Sequence, residues 1–483
     1  MPENLLTFCV LGAMAVQPAS TNATFNRDIA PILYQQCAAC HHSGEVAPFP
    51  LITYEDAVRH APTIAAVTQQ RIMPPWKAEP GPHFRRERRL TDEQIALIAD
   101  WAAHGTPEGD PAARPTPPVF LDGWQAGPPD QVFTMPENFT LPAEGSDQFR
   151  CFVIPMNANR EMYIKSFEFR PGNPQIVHHA AFFIDPAKGA RKRAGASGSY
   201  SCFGSPGFAP AVVLGGWAPG GGPDILADGA AITVPKDADL VLQLHYHATG
   251  KSESDRSSLA LRFGERSRVP LSQVLIVGNV EIPAGAVRQV VRTGLTIPWD
   301  VELLAIGPHA HYLGRDLNAT AHLPDGTVQS LIHIKDWSFN WQMEYYYEKP
   351  IKLPKGTRVE IEYTYDNSAS NPANPSHPPV RVHTGEQTTD EMAVLYMSVE
   401  LPPGTEEFDF QRALAIEYVD QYLEQGLDSR YLYPQVMLDA PQRAWLVGAT
   451  KAYAHDQSGN LTALGRKALV AELRKRLEVP AKP

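Results

Sequence analysis

The sequence predicts a multidomain chain: a small all-α unit, two antiparallel β-sandwich (jelly-roll-like) domains, and a C-terminal helical extension. Three observations carry this. Forty-five of the 483 residues are proline, about 9% against a usual ~5%, so long helices cannot dominate. From about residue 130 to 400, short runs rich in Val, Ile, Leu and Tyr alternate with Pro/Gly turns, as in Leu240–His247 and Arg358–Tyr365. That is the spacing of antiparallel sandwich strands, and the stretch is long enough for two such domains. Helical periodicity is confined to the two ends of the chain.

Residues 1–23 read as a secretory signal peptide. Leu5–Val16 is a mostly apolar run containing Cys9, followed by Gln17-Pro18-Ala19-Ser20, too short for a membrane span. The fit is imperfect, because the segment before the run holds Glu3 and no Lys or Arg; a short buried helix is the competing reading. Residues 24–108 form the helical unit. Thr91-Asp92-Glu93-Gln94 is a capping box, Ile95, Ile98, Trp101 and Ala102 recur at helical spacing, and the helix should stop near His104-Gly105. Residues 109–126 are a Pro-rich linker. The two sandwiches are placed at 127–270 and 271–402, and the helical extension at 403–483, with no role that the sequence assigns. Charge sums to 42 − 53 = −11 with a pI near 5.8, which argues against nucleic acid or anionic membrane as the main partner. Beyond the start, no apolar stretch is long enough to span a bilayer.

Cys37-Ala38-Ala39-Cys40-His41 is a C-x-x-C-H motif. Its thiols can form thioethers with haem vinyl groups while the adjacent imidazole ligates iron. A zinc knuckle or a redox pair are the alternatives, though no other cysteine follows within 100 residues. Met73, before Pro74-Pro75-Trp76, offers a soft distal ligand, with His42, His60 and His83 as rivals. Residues 24–108 thus resemble class I cytochrome c domains. The resemblance implies one covalently bound haem c held by Cys37, Cys40, His41 and Met73. It also implies export, because haem c is attached outside the cytoplasm.

The β region holds three histidine pairs and a methionine. In a strand, i and i+2 share a face, so His309 and His311 can reach one metal, as can His245 and His247, with Gln243 on that face too. His178 and His179 are adjacent, so both can serve one metal only where the strand bends or ends. Imidazoles plus the thioether of Met392 suit copper; zinc is possible for any histidine trio, and an isolated His-x-His is often an ordinary core pair.

The ordered set resembles the copper type II, ascorbate-dependent monooxygenases over roughly residues 125–400. On that resemblance Val177-His178-His179 and Val241–Tyr246 supply one copper centre through His178, His179 and His245. Pro308–Gly314 and Asp390-Glu391-Met392 supply a second, oxygen-binding centre through His309, His311 and Met392. Tyr396 sits where the family has an active-site tyrosine, and Gln243 is a further catalytic candidate. Asp147–Cys151 and Tyr200-Ser201-Cys202 resemble a segment pair joined by a disulfide, which implies a Cys151–Cys202 bond. The implied chemistry is hydroxylation of an unactivated C–H bond, using O2 and two external electrons and two copper ions. Those electrons would come from the fused haem, an ascorbate-like reductant or a redox partner protein. The peptide-amidating members hold their substrate with an arginine and an asparagine; here Gly307 and Val394 stand in those places. A small, apolar or aromatic substrate is therefore expected. The chain is expected to be periplasmic or secreted. A non-catalytic periplasmic copper-binding or electron-transfer protein is the alternative.

Overall fold

The computed structural model describes residues 23–43, 45, 47–120, 123–202, 206–208, 212–219, 221–226, 229–267, 269–385, 387–425, 445–446, 448–449 and 462–476. Cys9 and all of the signal-peptide reading except Ala23, which is buried in the core of the helical unit, lie outside them. The chain divides into two compact units, Met1–Pro75 with Arg88–Val119, and Trp76–Glu87 with Phe120–Pro483.

In the first unit, three helices close a small apolar core: α1 (Ala30–Gln36), α2 (Tyr54–Gln69) and α3 (Asp92–Ala103). Phe25, Ile29, Leu33, Leu51, Ile64, Ile98 and Trp101 fill it. The α3 capping box forms as the sequence predicts: the Gln94 backbone N–H donates to the Thr91 hydroxyl, and the Thr91 N–H to the Gln94 side chain. The helix ends at His104, and Gly105 takes the left-handed φ of 82°. Thr53 and Asp56 make a second capping box at α2.

The second unit is built from antiparallel sheets. In its N-terminal half, one sheet runs Ser199–Ser201, Gln148–Pro155, Asp239–Tyr246, Val177–Asp185, Val212–Trp217; another is built on Gln131–Thr134, Ser258–Phe263 and Met162–Arg170. Phe152, Phe167, Phe182, Leu242, Leu244 and Leu261 pack between them. Every residue of the central strand Asp239–Tyr246 is buried. The Cys151–Cys202 disulfide closes 51 residues of sequence, a loop worth about 4 kcal/mol in the chain-entropy view. In the C-terminal half, Leu271–Gly278, Ala393–Glu400, Val301–His309 and Tyr345–Leu353 form one four-stranded sheet. Gln289–Thr296, Arg358–Tyr365, Gly314–His322 and Val328–Ile334 form the facing one. Arg358–Tyr365 alternates half-buried and buried residues throughout, as a strand with one face on a core must.

Two segments differ from the expected boundaries. Residues 76–87, inside the expected 24–108 unit, group with the β unit. Phe84 bridges Tyr347, the Arg85 N–H donates to the Tyr346 carbonyl at 2.7 Å, and the Glu348 N–H donates to the His83 carbonyl at 2.9 Å. This strap covers the edge strand Tyr345–Leu353, and Phe84 (1% exposed) joins the sandwich core with Trp76 beside it. Phe84→Ala should cost about 3–5 kcal/mol, as truncating a buried aromatic does, read as a lower urea midpoint of the β unit.

The C-terminal extension is part of the same core. A short helix, α4 (Gly189–Ala194), belongs to the N-terminal half; in the next, α5 (Glu407–Glu424), Phe410, Leu414, Ile416 and Val419 are fully buried. The Leu275 N–H donates to the Tyr418 hydroxyl, and the Gln421 amide donates to the Thr293 hydroxyl. A last helix, α6 (Ala463–Arg476), pairs Arg474 with Glu417 of α5. No helix among the described residues is long and apolar enough to cross a membrane.

Candidate metal centres

The strands Val177–Asp185 and Asp239–Tyr246 pair regularly up to His179↔His245, and the next pair is Val177↔Tyr246. His178 is therefore the extra residue of a β-bulge. A bulge bends the strand and re-aims the residue at it, which meets the condition under which adjacent histidines can serve one metal. The outcome is a tight cluster. His178 Nδ1 lies 3.1 Å from His179 Nδ1, and His245 Nδ1 lies 3.2 Å from the same atom. Four-coordinate nitrogen ligands at ~2.0 Å from a metal stand about 3.3 Å apart. Among the described residues this trio is the group of three or more His, Cys, Asp or Glu whose ligand atoms lie within 4.8 Å of one another.

Asp147 orients the cluster from behind. Its carboxylate receives His245 Nε2–H at 2.9 Å and His247 Nδ1–H at 2.8 Å. A carboxylate only accepts here, so the proton on His245 is at Nε2 and the lone pair at Nδ1 faces the other two rings. Burial alone would raise the Asp147 pKa; the bonds from His245 and His247 outweigh it and hold the group down at about 2. Phe149 stacks on the His245 ring at 4.1 Å. Burial, with His245 beside it, pushes His178 down to about 3, and burial pushes His179 well below its ordinary value. Both imidazoles are neutral at pH 7, as ligands must be. His247 is exposed and bonds Asp147 from outside.

The second set sits at the end of the strand Val301–His309. His309 pairs with Val394, the last pair of that ladder. Glu391 ties the two segments together. Fully buried, it accepts the backbone N–H of His311 (3.0 Å), Leu313 (3.1 Å) and Met392 (3.2 Å). Burial pushes its carboxyl up to about 8 against those three donors. The His311 Nδ1–H donates to the Asp390 carbonyl at 3.1 Å, which leaves Nε2 as the donor atom for a metal. The Tyr365 hydroxyl donates to the Met392 carbonyl at 2.7 Å. The His309 and His311 rings stand perpendicular with centroids 5.3 Å apart, and burial lowers their pKa values to about 3 and about 4. Two neutral imidazoles beside a thioether segment fit copper.

Tyr396, half exposed, has its ring 6.4 Å from that of His309, and Gly307 opposite it leaves the space beside the tyrosine open of side chain. Gln243 is buried, and its amide donates to the Cys202 carbonyl at 3.1 Å. That bond supports the disulfide segment next to the trio.

In the helical unit, Cys37 caps the end of α1 and both Cys37 and Cys40 carry free thiols. Burial pushes Cys37 up to about 12 and raises Cys40. The His41 Nδ1–H donates to the Phe49 carbonyl at 3.0 Å, so its Nε2 is the available donor. Arg88 donates to the Cys40 sulfur at 3.4 Å. Met73 is half buried and its backbone N–H donates to the Val67 carbonyl. The zinc-knuckle alternative finds no third ligand, since Cys37 and Cys40 belong to no such cluster among the described residues.

Three side chains at these sites escaped sequence reasoning: Asp147, Glu391 and Phe339. The first two lie inside segments that were singled out, one beside Gln148-Phe149 and one beside Met392. Phe339 lies in Trp337-Ser338-Phe339-Asn340-Trp341, where the aromatics alternate with polar residues at the strand period, yet the segment forms no strand.

Residues 289–407 match the family model for the copper type II ascorbate-dependent monooxygenase, C-terminal domain. The match spans about a quarter of the chain and includes His309, His311, Met392 and Tyr396. It supports that family for the C-terminal sandwich, and with it a copper-dependent oxidoreductase. No curated protein matches the chain. Among solved structures, the major capsid protein P2 of bacteriophage PM2 is similar at 10% identity, covering 56% of this chain and 96% of that one, with a TM-score of 0.23. The PBCV-1 virus capsid is similar at 9% identity, covering 56% and 91%, with a TM-score of 0.17. The CBM22 tandem domain of Paenibacillus barcinonensis Xyn10C is similar at 8% identity, covering 56% and 93%, with a TM-score of 0.12. Scores at this level carry no inference about fold or function.

Proposed function

We propose that the chain is a copper-dependent monooxygenase that hydroxylates a C–H bond of a small organic substrate with O2. The supporting observation is the pairing of two unlike donor sets in one β unit. One is a trio of imidazoles gathered by a bulge; the other is an imidazole pair whose backbone shares a buried carboxylate with a methionine. Bound copper would supply the one-electron chemistry and the reactivity toward O2 that no side chain has. His178, His179 and His245 would hold one ion; His309, His311 and Met392 would hold the other.

The chain's own residues prepare both places. Asp147 keeps the His245 proton on Nε2, and the Asp390 carbonyl keeps the His311 proton on Nδ1, so each ring offers one defined lone pair. Burial keeps the His178, His179, His309 and His311 imidazoles neutral. Gly307 and Val394 leave the face beside Tyr396 without a charged clamp, and a substrate carboxylate would lose about 1.5–3 kcal/mol of charge-assisted bonding there. An apolar or aromatic substrate suits that face better.

The helical unit is read as a cytochrome c domain. Cys37 and Cys40 would bond a haem c and His41 Nε2 would ligate its iron, with Met73 the proposed distal ligand. The haem would then pass electrons to the His178–His179–His245 set. A disulfide calls for an oxidising compartment, and the resemblance to cytochrome c implies haem attachment outside the cytoplasm, so we propose that the protein is exported.

The test is turnover of copper-loaded protein under labelled O2 with a reductant and a panel of aromatic and aliphatic substrates. Product carrying one labelled oxygen supports the enzyme. Two coppers bound with no labelled product across the panel would overturn it in favour of a copper carrier.

A further inference from the structure

Resting on the two-centre reading above, we propose that Phe339 is a positioning residue shared by both ligand sets, holding His178 in ligating orientation and linking its fit to that of His311. His178 is the one donor of its set that the strand register skips. As the bulge residue it has no partner across the strand pair, so the sheet alone does not set its ring.

A residue from the C-terminal sandwich supplies that constraint. The Phe339 ring lies over His178 with centroids 4.8 Å apart and planes 18° from parallel, within the range of offset aromatic stacking. The same ring meets His311 edge-on at 5.9 Å and 88°, and packs on Tyr312 at 4.3 Å. It is 7% exposed, so water is nearly excluded around it.

The segment carrying the ring is itself anchored to the second set. Trp337 donates its indole N–H to the His311 carbonyl at 3.0 Å, and the Gln342 amide donates to the Phe339 carbonyl at 2.8 Å. A ring packed face-on against one ligand and edge-on against another cannot move without disturbing both. Filling one centre should therefore change the affinity of the other.

The experiment is an anaerobic Cu(I) competition titration of the full-length chain, with Cu(II) EPR as a second readout. It compares wild type with Phe339→Ala, Phe339→Leu and Phe339→Tyr, each checked for folding by circular dichroism. Phe339→Ala should weaken copper at the His178 set by about 10–100-fold, the cost typical of losing a residue that orients a ligand, and should shift its EPR hyperfine splitting. Phe339→Tyr should retain the wild-type signature. Phe339→Leu fills much of the volume but cannot stack, and should resemble Phe339→Ala; it carries the test where the alanine variant misfolds. Wild-type affinity and spectrum in Phe339→Leu overturn the proposal, since the ring would then be only a filler. If these shifts appear but wild type makes no labelled product, the oxygenase reading fails and the role of Phe339 stands. If wild type binds no copper at His178, both fall together.

Discussion

Glu391→Ala is expected to empty the His309–His311–Met392 set of copper and to destabilise the C-terminal sandwich by about 3 kcal/mol or more. The magnitude follows from three backbone N–H groups, of His311, Leu313 and Met392, that lose their acceptor in a buried site, at about 1–3 kcal/mol each. The effect on metal follows from the same bonds, because Glu391 is the tie between the turn carrying His311 and the start of the strand carrying Met392. Glu391→Gln keeps the size and one accepting oxygen, but turns an amide NH2 toward a backbone N–H. It should fall between wild type and alanine on both measures. Urea unfolding and copper analysis of the dialysed protein decide this. A Glu391→Ala chain with an unchanged midpoint and two coppers would remove the carboxylate from the account.

Asp147→Asn is the second large effect, and it separates metal affinity from stability. The asparagine oxygen can accept from either His245 or His247, but its NH2 must then face the other imidazole N–H. His245 loses its fixed proton or its orientation, and copper at the His178–His179–His245 set should weaken about 10–100-fold. The stability of the C-terminal sandwich should be untouched, because no contact of Asp147 reaches it by hydrogen bond or ion pair among those described, and copper at the His309 set should change only through the Phe339 contact between the two sets. Copper titration with a chelator of known affinity measures the change. Equal affinity in wild type and Asp147→Asn would show that the carboxylate serves only the exposed His247.

What the sequence allowed, and what it withheld, divides by the range of the interaction. Local patterns were legible: the alternation in Arg358–Tyr365, the capping box at Thr91 and the apolar period beginning at Phe410 each declare themselves within a few residues. The bulge at His178 was legible only as a condition. Val177-His178-His179-Ala180-Ala181 contains no glycine or proline to mark it, and it exists because of where the neighbouring strand Asp239–Tyr246 changes register. The strap escaped for a similar reason. Glu79-Pro80-Gly81-Pro82 reads as a turn, and one bridge at Phe84 leaves no periodic trace. In α5 the helix was visible but its partners were not. Seven consecutive residues from Ala413 to Val419 are buried, with a sheet on one side and α6 on the other, so no polar stripe shows which face meets what. Asp147, Glu391 and Phe339 act across 98, 80 and 161 residues of sequence, on His245, His311 and His178 respectively. No spacing rule reaches that far.

X-ray absorption of the fully reduced, copper-loaded chain tests the central claim most directly. Two unlike centres predict two coppers per chain, nitrogen scattering from both, and a sulfur shell of about 2.3 Å scaled from metal–thiolate distances at half occupancy, abolished by Met392→Ala. A sulfur-free spectrum, or one unchanged by Met392→Ala, would contradict it.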